Sequence, residues 1–293
     1  SRQRYWGVPI HALVCHGCND EHKLFVEVIE HFAKIVQKEG TDAWFEEEKD
    51  VKQLLPEGFR CPDCGGSEFK KTHDILDVWF DSGVSHQAVV KAMMGMELPV
   101  DLYLEGSDQH RGWFQSSLIP AVAMEGKPPF KGVLTHGFVV DGAGRKMSKS
   151  LGNVISPLDL MKNSGADIVR LWVASSSYEE DIRISQEILE RLTDSYRKIR
   201  NTFRYLLGNL YDFDPARNTL AYDHLLDLDR WALGRLYATM GELKASFEHY
   251  EFAKVTKAIY TFCNEDLSSF YLDILKDRLY TSAANSPERR SAQ

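Results

Sequence analysis

The sequence predicts an α/β unit built on a parallel sheet, carrying a cysteine-rich insertion, and behind it an all-helical bundle. Three observations lead there. Four of the five cysteines fall into two Cys-x-x-Cys pairs, Cys15/Cys18 and Cys61/Cys64. From Asp101 onward, short apolar runs alternate with segments of helical periodicity, the pattern that puts strands in one layer and helices on its faces. After about Ser185 the strand-like runs stop, and apolar residues recur at three- and four-residue steps. The expected division is 1–184, with the insertion at about 11–75, followed by 185–293.

Taken in order, residues 1 to about 100 read as short strands, turns and one helix, roughly Phe25 to Glu39, around the cysteine pairs. DLYLEG is a strand ended by Gly106, and SDQHRGWFQSSLIPAVAM a helix with Ser107 as its N-cap. VLTHGFVV reads as one β-rich run closed by the turn DGAG. SPLDLMKNSG has Ser156 to cap a helix, Pro157 for its first position and Gly165 just past its end. GADIVRLWVASSS is a further short helix. Beyond Ser185, Ile188, Leu192, Ile199, Phe203, Leu206 and Leu210 predict one apolar stripe. LDRWALGRLYATMGELKASF and FAKVTKAIYTFCNEDLSSFYLDILKDRLY repeat that behaviour, as a helical bundle requires. The end, TSAANSPERRSAQ, is small and polar and reads as a frayed or linking tail.

Of the 293 residues, 43% are hydrophobic and 27% charged, ordinary values for a globular chain. The net charge of -8 argues against a generic nucleic-acid coat but leaves room for a local basic stripe. The best one is Arg191, Arg197, Lys198, Arg200 and Arg204 on the helix after Ser185. No apolar run approaches the ~18 residues of a membrane span, so no membrane association is expected. SRQRYWGVPI is no secretory leader and lacks an initiator methionine, so a piece of a longer cytoplasmic protein is expected.

The cysteine pairs have metal-knuckle spacing, with Gly17, Gly65 and Gly66 placed where backbone must turn toward sulfur. Cys15, Cys18, Cys61 and Cys64 would make a closed tetrahedral site for a structural Zn²⁺. His16, His22 and His73 lie near enough to stand in as ligands. Cys263, alone on an apolar helix face, reads as core. In YLEGSDQHRGWF, Glu105 falls at the carboxyl end of a strand and Gly106 opens the crevice where such sheets take ligands. A carboxylate there suits an ammonium group, and Trp113 an apolar wall; Asp108 could equally serve only the helix dipole. His136 and Gly137 fall near another strand end. Lys146 and Lys149, three apart on a glycine-flanked loop, suit a polyphosphate, although most Lys-Ser loops are solvated turns.

The stretch KMSKS, residues 146 to 150, is identical to the second signature of the class I aminoacyl-tRNA synthetases. SRQRYWGVPI, LDVWFDSG, YLEGSDQHRGWF, VLTHGFVVDGAGRKMSKSLGN and GADIVRLWVAS resemble, in that order, the bacterial isoleucyl branch of that family. FYLDILKDRLY resembles the end of the family's first helical bundle, so the likeness spans essentially residues 1 to 280. The resemblance implies the C-terminal half of a Rossmann-like nucleotide-binding catalytic domain with a zinc-ribbon-like insertion, followed by a truncated bundle of the anticodon-binding type. It implies ATP, with Mg²⁺, as substrate, isoleucine and tRNA(Ile) as partners, and a monomer in the intact enzyme.

By the same resemblance, Glu105, Gly106, Asp108 and Gln109 line the adenylate and the amino acid's ammonium, and Trp113 borders the side-chain pocket. His136 and Gly137 lie against adenosine. Lys149 stabilises the α-phosphate and Lys146 the leaving phosphates, with Met147, Ser148 and Ser150 completing the ATP loop. Arg197, Lys198, Arg200 and Arg204 face tRNA. The family's first signature, His-x-Gly-His, is not found in these 293 residues, nor is an editing domain, so the piece alone is expected not to turn over. Other readings are a valyl or other class I fragment, a different adenylate-forming ligase of the same fold, or a zinc-ribbon module that binds nucleic acid. The last sits poorly with the acidic Glu46, Glu47, Glu48 and Asp50 in the same segment.

Overall fold

The structure is a computed structural model and describes residues 7–19, 21–47 and 49–293; positions 1–6 of SRQRYWGVPI, Asp20 and Glu48 lie outside the described residues. The chain forms two compact units, Ser1–Leu134 and Thr135–Gln293.

The first unit opens with β1 (Ala12–Cys15), β2 (Glu21–Leu24), helix α1 (Val26–Glu39) and β3 (Phe69–Lys71). The strands form an antiparallel sheet in the order β2-β1-β3. Side chains alternate across a strand, so Leu13, Cys15 and Phe69 share a buried face with Val28, Phe32, Trp44 and Leu54, while Val14 sits opposite His22 and Lys70 on the outer one. Trp44 Nε1 donates to the Thr72 carbonyl at 2.8 Å, satisfying its one polar atom in the core. α2 (Val78–Gly83) follows, capped by Asp77, whose carboxylate accepts from Trp79 N. After a π-helical stretch, His86–Met93, come β4 (Val100–Gly106), α3 (Trp113–Glu125) and β5 (Phe130–His136), with β4 and β5 paired. A Cβ on Gly83 would lie 2.2 Å from the Ser116 carbonyl oxygen, so only glycine lets α2 approach α3 this closely.

Two local expectations fail here. Residues 107–111 form a tight 3₁₀ turn separate from α3, and Ser107 caps nothing. The cap of α3 is Gln109, whose Oε1 accepts from Trp113 N at 2.9 Å. A Cβ on Gly112 would meet that oxygen at 2.5 Å and the Trp79 ring at 3.1 Å, so the break needs glycine there. Residues 78–93, taken with the short strands and turns by sequence, are helical.

The second unit holds β6 (Val139–Asp141), α4 (Pro157–Ser164), α5 (Ala166–Ser175) and β7 (Ile182–Ile184), with β6 and β7 parallel. Ser156, Pro157 and Gly165 sit at the helix ends as expected. VLTHGFVV, expected as one run, breaks at Gly137. Its N–H donates to the Tyr178 carbonyl at 2.8 Å, and a Cβ would fall 2.3 Å from Glu180 O. Helices α6 (Gln186–Gly208), α7 (Pro215–Asn218), α8 (Asp227–Glu248) and α9 (Phe252–Thr261) follow, then a π-helical segment, Phe262–Tyr271, α10 (Leu272–Thr281) and α11 (Pro287–Ala292). Leu189 and Thr202 turn inward on α6, while Phe203 is 54% exposed, so the apolar stripe is narrower than its spacing suggests. The polar end is not frayed. Ser291 Oγ accepts from Leu226 N at 2.9 Å, Arg289 pairs with Asp212, and Gln293 donates to Asn209 O at 2.8 Å. Specific polar partners hold a segment that has almost no apolar surface to bury.

Candidate functional site

The four cysteine sulfurs come together from both ends of the ribbon. Cys15 and Cys64 Sγ are 3.6 Å apart, Cys18 and Cys61 3.7 Å, and all four lie within 4.8 Å of one another. Four thiolates about 2.3 Å from a central Zn²⁺ would be spaced about 3.8 Å apart, so the donor set and its size both fit. A Cβ on Gly17 would stand 2.7 Å from Cys64 Sγ, which explains the glycine between the first pair. The amide of Cys64 and, more weakly, that of Asp63 draw the Cys61 thiol down to about 7, toward the form that binds metal. Among the described residues the ligand group is these four alone; His16, His22 and His73 are not part of it.

Around the 103–114 motif the side chains divide by task. Glu105 and Asp108 are exposed, at the end of β4 and in the turn after it, while Gly106 is buried. Gln109 is committed locally: its Oε1 caps α3, and its Nε2 donates to Asp108 Oδ2 at 3.1 Å. Trp113 is half-buried and lies flat on Tyr103, with centroids 4.1 Å apart and planes at 8°. Its Nε1 donates to Ser82 O at 3.0 Å. Beneath it, Tyr103 OH and Ser117 Oγ are 2.9 Å apart, and Ser117 lies 3.4 Å from Nδ1 of the buried His86. Sequence reading passed over Tyr103, Ser117 and His86, because nothing local marks residues that meet from three different elements.

In the second unit, His136 Nδ1 and the Gly137 carbonyl are 2.8 Å apart, and Gly137 packs on the backbone at Glu180. The KMSKS stretch is a folded loop. Lys146 lies 5.7 Å over the Phe138 ring and pairs by backbone with Val140. Met147 packs onto the core of Ile168, Trp172, Ile184 and Leu189. Ser148 Oγ accepts from Leu151 N, capping the turn Lys149–Leu151, and lies 3.1 Å from Ser150 Oγ. The Lys149 side chain is exposed and has no partner among the described residues. Asp141 and Asn153, which sequence reading also missed, tie the loop's ends together. The Asp-Gly start of the turn at 141 was a legible sign of a side chain folding back on its own backbone.

On α6, Arg197 pairs with Asp194 at 3.3 Å, and Lys198 donates to Tyr260 OH at 3.0 Å. Arg200 and Arg204 point to no partner among the described residues and are exposed.

A glycine at the end of β4, a braced KMSKS loop and a helical bundle are the features expected of a class I tRNA synthetase. Residues 1–185 match the model of the class I tRNA synthetases (I, L, M and V), and 229–293 that of the anticodon-binding domain of tRNA ligases. The chain belongs to the class I tRNA synthetases. It is 56% identical over all 293 residues to the isoleucine–tRNA ligase of Caldicellulosiruptor bescii, and 56% to that of Fervidobacterium nodosum. In each case it spans 32% of the relative's length. Its fold is similar to an Agrobacterium radiobacter K84 LeuRS solved with tRNA and LeuAMS, with a TM-score of 0.69, 20% identity, and coverage of 100% of this chain and 37% of that one. A Mycobacterium tuberculosis methionyl-tRNA synthetase bound by methionyl-adenylate gives a TM-score of 0.58 at 20% identity, over 80% of this chain and 46% of that one. Among the described residues, no helix is long and apolar enough to cross a membrane.

Proposed function

We propose that these residues form part of an isoleucine–tRNA ligase of the cytoplasm, a monomer that activates isoleucine with ATP and passes the acyl group to tRNA(Ile). Residues 1–184 serve the catalytic domain and 185–293 a bundle of the anticodon-binding type. The observation that carries the reading is identity to isoleucine ligases along the whole chain, together with a signature loop that leaves Lys149 unpaired.

In the first step a carboxylate oxygen of isoleucine attacks the α-phosphorus of ATP, and pyrophosphate leaves. No side chain need act as nucleophile, so positioning and charge carry the catalysis. Glu105 and Asp108, both exposed carboxylates, hold the ammonium, and Gly106 lets the ligand close on the strand end. Gln109 acts through the helix cap it makes, and Trp113, fixed on Tyr103, walls the side-chain pocket. His136 and Gly137 lie against adenosine. Lys149 meets the charge developing at the α-phosphate, and Lys146 the leaving phosphates, with Met147 anchoring the loop and Ser148 and Ser150 shaping its turn. Mg²⁺ on the phosphates supplies further charge neutralisation. In the second step a hydroxyl of the terminal ribose attacks the acyl carbon and AMP leaves. Arg197, Lys198, Arg200 and Arg204 face the tRNA backbone. Cys15, Cys18, Cys61 and Cys64 hold a structural Zn²⁺.

Replacing Lys149 by alanine in the intact ligase should lower kcat for isoleucine-dependent ATP–pyrophosphate exchange by roughly 10²–10³-fold, the cost of one preorganised charge. The KM for isoleucine should stay near its original value. Full exchange activity in Lys149→Ala, or exchange driven by another amino acid in preference to isoleucine, would count against the reading.

A further inference from the structure

Asp141, at the end of β6, is only 8% exposed and acts as an acceptor hub. Its Oδ1 takes Ala143 N at 3.0 Å and Arg145 N at 2.9 Å. Its Oδ2 takes Arg145 Nε at 2.9 Å and Asn153 Nδ2 at 3.0 Å. Asn153 in turn grips the backbone of the signature loop at two points. Its Oδ1 accepts from Ser148 N at 2.9 Å, and its Nδ2 lies 3.4 Å from Lys146 O. Those points flank Met147, whose side chain is already held in the core. The loop is therefore pinned immediately beside both lysines, while the Lys149 ammonium stays free.

We propose that Asp141 and Asn153 form a clamp that positions the lysine pair, so that Lys149 meets the phosphate without first having to be ordered. This rests on the adenylation reading above. Asn153 acts through the backbone of residues 146–148, which makes it a positioning residue. Preorganised charge is effective because it needs no rearrangement as the reaction proceeds. A loop released from the clamp keeps its lysines but loses their placement.

The test uses the intact ligase and isoleucine-dependent ATP–pyrophosphate exchange. Asn153→Ala should lower kcat by roughly 10- to 100-fold, the scale of a misplacement of about 1 Å. The KM for isoleucine and the Tm should be unchanged. In a Lys149→Ala background the same substitution should cost almost nothing more, because the group it positions is gone. Should Asn153→Ala fold poorly, N153D replaces it. A carboxylate at 153 still accepts from Ser148 N but has no proton to give to Asp141 or to Lys146 O, so the same loss and the same dependence on Lys149 are expected. Asn153→Ala or N153D turning over at the original rate, or an equal further loss in the Lys149→Ala background, would overturn the clamp. An original enzyme that does not exchange with isoleucine, or a fully active Lys149→Ala, would instead overturn the adenylation reading.

Discussion

Asp229, 2% exposed in the helical bundle, keeps its charge because donors surround it. Tyr271 OH donates at 2.8 Å, Arg278 through both terminal nitrogens at 2.7 and 2.8 Å, and Ser291 Oγ also donates. Burial opposes ionisation, but hydrogen bonds from Arg278, Ser291 and Tyr271 outweigh it and hold the carboxyl below its usual range. A folded pKa below the unfolded one gives stability that is present above the unfolded value and is lost as pH falls through the folded one. Asp229→Asn should therefore cost about 1.5–3 kcal/mol at neutral pH, since it removes charge-assisted hydrogen bonds from the half-buried Arg278. The gap to the unsubstituted chain should narrow below pH ~4, where the carboxyl of the unfolded chain begins to protonate while the folded one stays charged. Denaturant melts at pH 7 and pH 3 measure both, and a gap of equal size at the two would refute the argument. In the sequence Asp229 looks like an ordinary first-turn acid. Its partner is 49 positions away, and no local pattern reports such a pair.

Among the elements, the ribbon at residues 12–71 has two sources of stability: the cysteine cluster and an apolar core of Leu13, Phe32, Trp44 and Leu54. The intact protein should carry one Zn²⁺ at this cluster, and Cys61→Ser should lose it. Chelation should expose the amides of the ribbon strands to hydrogen exchange while those of α6 and α8 stay protected. Zinc absent from purified protein, or exchange spreading equally to α6, would contradict a structural metal. The cysteine pairs were legible because ligand spacing is a local property of the chain, and so were Ser156, Pro157 and Gly165 around α4. The break at Gly112 was not, since it depends on Trp79 arriving from α2. The docked α11 was missed for the same reason: its partners Asp212 and Asn209 lie far away in sequence.

Across the whole molecule a net charge of -8 coexists with a basic face on α6, where Glu187 and Asp194 pair with Arg191 and Arg197 and Lys198 donates a hydrogen bond to Tyr260. Arg200 and Arg204, exposed and without partners among the described residues, are the cations that the proposed function would direct to RNA phosphate. Reversing both charges in the intact ligase should weaken tRNA binding and flatten the log K against log salt slope by about 0.9 for every phosphate no longer neutralised. An unchanged slope would make the face a solvated one. The sequence by itself determined the order of architectures, the metal-binding spacing and the signature loop, because each is written in neighbouring residues through periodicity, turn chemistry or ligand geometry. Tertiary structure alone decided which cations stay free, where Trp113 is held, what caps α3, and that Asp141 and Asn153 brace the loop. Those outcomes depend on which distant donors and acceptors the fold brings within about 3 Å, the range over which a hydrogen bond discriminates.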